Sequence, residues 1–146
     1  MHIISETNHF VNEMKLALGT NENNDKQKHK DAVVMFENNS FPDARLEGPP
    51  TNDLVSQPES KDMLLQRLIS LKEAVNVLCA TVNLSAAKGK TRHPGLLYFS
   101  ATEWLQFAEM HMRHHFKQKN RIEEKLWGND RCTEKDVLQK RIDQKQ

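Results

Sequence analysis

The stretch Met110 to Gln118, MHMRHHFKQ, holds three of the chain's seven histidines. His111 and His115 stand four residues apart. On an α-helix that separation advances about 6 Å and returns to within about 40° of the same direction, so the two imidazoles share a face and can share an ion. Two neutral histidines from one helix and a third from another would hold a divalent transition metal, with coordination positions left for water or substrate. Histidine pairs at this spacing also occur without metal, as core side chains bonded to neighbouring polar groups. Either way, an imidazole on an inward face needs a hydrogen-bond partner or an ion to offset its desolvation. His114 is offset from His115 by about 100° and belongs at the rim.

These histidines have to be carried on a helix, and the sequence supplies one. Ser100-Ala-Thr-Glu103 is a capping box, and Phe99 and Trp104 occupy the positions of a hydrophobic staple. The helix that starts there runs to about Trp127, where Gly128 ends it. Its inward register reads Trp104, Ala108, His111, His115, Gln118 and Ile122. The segment from His2 to Leu18 repeats apolar residues at seven-residue returns, Ile3, Phe10 and Ala17, then Ile4, Val11 and Leu18, with Gly19 as its stop. His2, Glu6, His9 and Glu13 form a polar row beside that stripe. A third helix follows an N-cap at Ser60, with Leu64, Leu68, Leu71, Val75, Leu78 and Val82 as its buried stripe.

The connections are equally legible. The Asn-rich TNENNDKQKHK run from Thr20 favours a loop, and a short helical turn follows over Asp31 to Glu37. Four of the five prolines fall between Asn38 and Glu59, so that stretch cannot form a continuous helix; its Phe41, Leu46, Leu54 and Val55 suggest that it lies against the helices. Asn83 to Phe99 contains Gly89 and Pro94-Gly95 and must reverse the chain, with His93 as a turn residue or a support for the site.

Composition narrows the function. A net charge of +1 from 21 basic and 20 acidic residues makes no basic field, so no nucleic-acid partner is expected. No apolar run approaches the roughly 18 residues that span a bilayer, and no signal peptide is visible, so the expected location is cytoplasmic, with no membrane partner. Cys79 and Cys132 lack metal-ligand or redox spacing and are expected as reduced thiols.

Four segments resemble the DinB-like (DinB/YfiT) superfamily of metal-dependent proteins: HIISETN at the start, FPDARLEGPP and SQPESKDML in the middle, and HPGLLYFSATEWLQFAEMHMRHHFKQKNRI near the end. The most specific element is His111 and His115 followed by Gln118. The resemblance covers most of residues 2–127 and implies an all-α fold, a DinB-like four-helix bundle over residues 1–128, with 129–146 as a short C-terminal helix or tail. Family members carry another helix ahead of the first histidine, so this bundle is expected to be incomplete at its N-terminus. The resemblance also implies a three-histidine site for Ni²⁺ or Zn²⁺, with His2 as first ligand and His111 and His115 as the later pair; His9, two turns along from His2, competes for the first position.

Two kinds of function follow. One is a divalent-metal-dependent hydrolase or thiol-dependent transferase acting on a small molecule, with Glu6 nominated as catalytic base or orienting carboxylate. The other is a non-catalytic, stress-associated metal- or ligand-binding module, or one that acts by dimerising. No Ser/His/Asp series, phosphate-binding glycine loop or close carboxylate pair argues for catalysis independently of a metal.

Overall fold

The computed structural model describes residues 1–43 and 56–127. In chain order it comprises α1 (His2–Leu18), α2 (Lys30–Glu37), α3 (Lys61–Thr81), a 3₁₀ turn (Leu84–Ala86), β1 (Lys90–His93), β2 (Leu97–Ser100) and α4 (Ala101–Trp127). The described residues are thus mostly helical, with one small antiparallel sheet among them. Residues 44–55 and 128–146, which include Leu46, Leu54, Val55, Gly128, Cys132 and the expected C-terminal segment, lie outside the described residues. The chain divides into two compact units, Met1–His114 and His115–Gln146, the boundary falling inside the unbroken helix α4.

The helix boundaries follow from local chemistry. Ser60 Oγ accepts from Met63 N and caps α3. Ser100 and Glu103 form the reciprocal box at the start of α4: Ser100 N donates to Glu103 Oε2 at 2.8 Å and Glu103 N to Ser100 Oγ at 3.3 Å. Burial opposes ionisation of the Glu103 carboxyl, but hydrogen bonds from Lys28 and the Ser100 backbone hold it below its ordinary range. Phe99 and Trp104 meet as a staple with ring centroids 5.0 Å apart. His29 caps α2, its Nδ1 accepting from Asp31 N.

The turn between α3 and α4 is a β-hairpin, an element absent from the sequence reading. Lys90 pairs with Ser100, Thr91 with Phe99, Arg92 with Tyr98 and His93 with Leu97. Four-residue strands are too short to display a period-two pattern, and KTRH has no apolar alternation at all. The turn closes on Leu97 at φ 66°, a left-handed conformation uncommon outside glycine. Gly89 sits where the hairpin meets the end of α1: a Cβ there would stand 2.3 Å from Thr20 O and 2.6 Å from Ala17 O, so only glycine allows the approach. The hairpin also orders the polar loop after α1. Lys90 N donates to Glu22 O, Asn23 Nδ2 to Lys90 O, and His29 N to Leu96 O.

The core of the first unit lies among α1, the hairpin and the first half of α4. α1 buries Ile4, Thr7, Phe10, Val11, Met14 and Ala17, a face at helical spacing. Trp104, Phe99, Met14 and Met110 are the largest fully buried side chains. Trp104 Nε1 donates to Thr91 Oγ1 at 2.7 Å, which ties α4 to β1. Two expectations about burial are corrected. In α3, Leu71 is buried and Leu64, Val75 and Leu78 pack on the core, but Leu68 and Val82 are exposed. In α4, Ile122 is 56% exposed; the buried residues of this helix, among those described, end at Met110.

Candidate metal centre

The site is assembled from the start of α1 and the middle of α4. His111 follows the buried run Trp104, Phe107, Ala108 and Met110, so the packing that seats this part of α4 also turns His111 toward α1. Phe10 of α1 meets Trp104 at 5.8 Å and Phe107 at 5.1 Å between ring centroids, and it sets its ring edge-on to His111 at 5.3 Å. Two turns earlier on α1, His2 reaches the same place, its ring centroid 5.7 Å from that of His111. His115 continues α4 one turn on, where helix geometry alone puts it on the face of His111.

His2, His111 and His115 each present a ring nitrogen, and these three atoms all lie within 4.8 Å of one another. All three residues are half-buried, and Nδ1 of His2 and of His111 is shielded from solvent. Nitrogens that share an ion at about 2.0–2.1 Å stand roughly 3–3.5 Å apart in a tetrahedral site, a separation inside the 4.8 Å that encloses these three. Three neutral nitrogen donors with no carboxylate or thiolate among them suit Ni²⁺ or Zn²⁺ better than Mg²⁺ or Ca²⁺.

The other nominated residues are placed differently. Glu6, one turn from His2, is half-buried and outside the cluster. His9 is exposed and lies edge-on to Trp104 at 6.2 Å, so α1 presents His2, not His9, to the histidine pair. His114 packs on Phe41, with ring centroids 5.4 Å apart. Phe41 lies against the core, as its place in the proline-rich stretch suggested, and reaches Phe107 at 5.1 Å and His111 at 5.9 Å. Phe10 and Phe41 therefore form an aromatic wall beside His111. The apolar stripe of α1 was the available signal for Phe10, but periodicity does not say which side chain it will touch.

His93 is a turn histidine. Its Nδ1 accepts from Gly95 N at 3.1 Å and Leu96 N at 3.2 Å, and its ring stacks on Trp104 at 5.7 Å. Burial, then the nearby His9, lowers its pKa to about 4. In the unfolded chain the group titrates near 6.5, so between these values the unfolded state holds more protons than the folded one. The stability that neutral His93 contributes is whole above about pH 6.5, falls as the pH drops through that window, and levels off below about 4. Discounted for its partial exposure, the loss between pH 7 and 5 is about 1 kcal/mol. Urea unfolding at the two pH values should show this loss in the wild type and a smaller one in His93→Asn, which keeps an acceptor but does not titrate; equal losses would disprove the assignment.

No family model, no curated protein and no solved structure matches the chain. Among the described residues no helix is long and apolar enough to cross a membrane.

Proposed function

We propose that this chain is a DinB-like metal-binding helical-bundle protein whose His2, His111 and His115 hold Ni²⁺ or Zn²⁺ for hydrolase or thiol-dependent transferase chemistry on a small molecule. The observation that carries the reading is the convergence of three imidazole nitrogens within 4.8 Å from two helices far apart in the chain. A metal held there would lower the pKa of a bound water or thiol and polarise a substrate carbonyl. The residues of the chain supply the rest. Neutral imidazoles leave the ion its full positive charge, and Phe10 and Phe41 set apolar rings beside His111, where a lower local dielectric would strengthen electrostatic interactions. Glu6 is the carboxylate on α1 closest in sequence to His2 and the nominated base, acting through a change of rotamer or through water.

One observation favours the non-catalytic alternative: among the described residues the cluster is made of histidines alone, a donor set that suits holding a metal whether or not catalysis follows. Turnover decides between the two. Protein loaded with Zn²⁺ or Ni²⁺ is expected to hydrolyse an ester or amide, or to transfer a thiol, within a panel of such substrates, and to lose the activity on chelation. Glu6→Gln is expected to lower kcat by about 10²-fold or more if it is the base. Metal bound at full occupancy with no chelator-sensitive turnover would leave a metal-binding module.

A further inference from the structure

Past His115 the apolar residues of α4 face water. Phe116, Ile122, Leu126 and Trp127 are 60, 56, 62 and 54% exposed. At about 100° per residue they fall in one sector of about 140°, together with Lys119 and Glu123, while Lys117, Arg121, Glu124 and Lys125 lie on the opposite side. An isolated helix of this length gains little from propensity alone; it is the packing of an apolar face that stabilises such a segment. Lys119 Nζ and Glu123 Oε1, 2.6 Å apart, form an ion pair within the stripe.

The order of residues along that face is self-complementary. In an antiparallel copy centred on Arg121, Phe116 lies level with the partner's Leu126, and Lys119 lies level with the partner's Glu123. The two-fold axis repeats both contacts. A parallel copy would instead set Lys119 against the partner's Lys119 and Glu123 against the partner's Glu123, which like charges disfavour. We propose that the distal face of α4 docks a second copy of this chain, antiparallel, through Phe116, Ile122, Leu126 and Trp127 with reciprocal Lys119–Glu123 pairs between the chains. The face is about 18 Å long, roughly three turns, and so smaller than the roughly 800 Å² per partner of a standard stable interface. The dimer is therefore a weak one that forms and dissociates with concentration.

Sedimentation equilibrium of the full chain tests this from about 1 to about 500 µM, the range in which a contact of this size associates. A monomer–dimer equilibrium is expected, weakened about tenfold or more in K119E, in E123K and in L126E. Mixing K119E with E123K should restore the dimer, because opposite charges then face each other between the chains although the pair within each helix stays broken. That rescue is what a purely intrahelical role would not produce. All three substitutions are at exposed positions, and circular dichroism verifies that the helix content is unchanged. A wild type that stays monomeric throughout, as when residues 129–146 of the same chain cover the face, would overturn the proposal. So would a dimer indifferent to these substitutions, or a mixture that fails to associate.

Discussion

Alanine at His111 or at His115 is expected to strip the protein of its metal. Wild-type protein purified without a histidine tag should carry about one equivalent of Ni²⁺ or Zn²⁺ per chain by elemental analysis, and each variant should carry almost none. Each substitution deletes one of three nitrogens within 4.8 Å of one another, and the two donors that remain hold a transition metal far less tightly than three. The loss of affinity should exceed the roughly 10–100-fold that removal of a supporting residue costs. His114→Ala is the control, since His114 neighbours the pair in sequence but packs on Phe41 outside the cluster. The same contrast should appear in thermal unfolding. Metal at about 100 times its Kd stabilises a folded state that alone binds it by about 2.7 kcal/mol, or on the order of 8 °C for a chain of this size. His114→Ala should keep that shift, and His111→Ala and His115→Ala should not show it. Equal metal content in wild type and both variants would remove the site.

Trp104→Ala is expected to cost about 3–5 kcal/mol, the usual range for truncating a fully buried large aromatic. Trp104 has no exposed surface, packs against Phe10, Phe99 and His93, and donates its indole N–H to Thr91. Against a total stability of about 5–15 kcal/mol, that loss leaves the fold marginal or unfolds it. Trp104→Phe separates the contributions. It retains a ring but leaves Thr91 Oγ1 without its indole donor, and should cost about 1–2 kcal/mol beyond the change in ring size. Urea unfolding followed by circular dichroism measures both; a loss under about 1 kcal/mol for Trp104→Ala would mean that α1, β1 and α4 do not meet at this residue.

Local signals were legible where the physics is local. The cap at Ser60 and the Ser100–Glu103 box each depend on side chains within a few residues of the backbone groups they satisfy, and the span of α1 follows its own apolar repeat. The placement of His111 and His115 on one face needed only the helix repeat. The hairpin was not legible, because its strands exist through pairing with each other and through the approach of Gly89 to the end of α1. Periodicity also overstated burial. It marked Leu68, Val82 and Ile122 as core positions, whereas an apolar stripe states only that a face suits a partner, not that this fold supplies one.

The sequence by itself determined the span of α1, the caps that start α3 and α4, and the paired imidazoles of α4, since each follows from contacts within a turn or two of chain. It pointed to His2 only through a resemblance. Tertiary structure alone decided that His2, and not His9, stands beside the pair: Phe10 seats α1 against Trp104 and Phe107, and that packing fixes which turn of α1 faces His111. The three imidazoles come from distant segments, so they converge only when the core between those segments has formed.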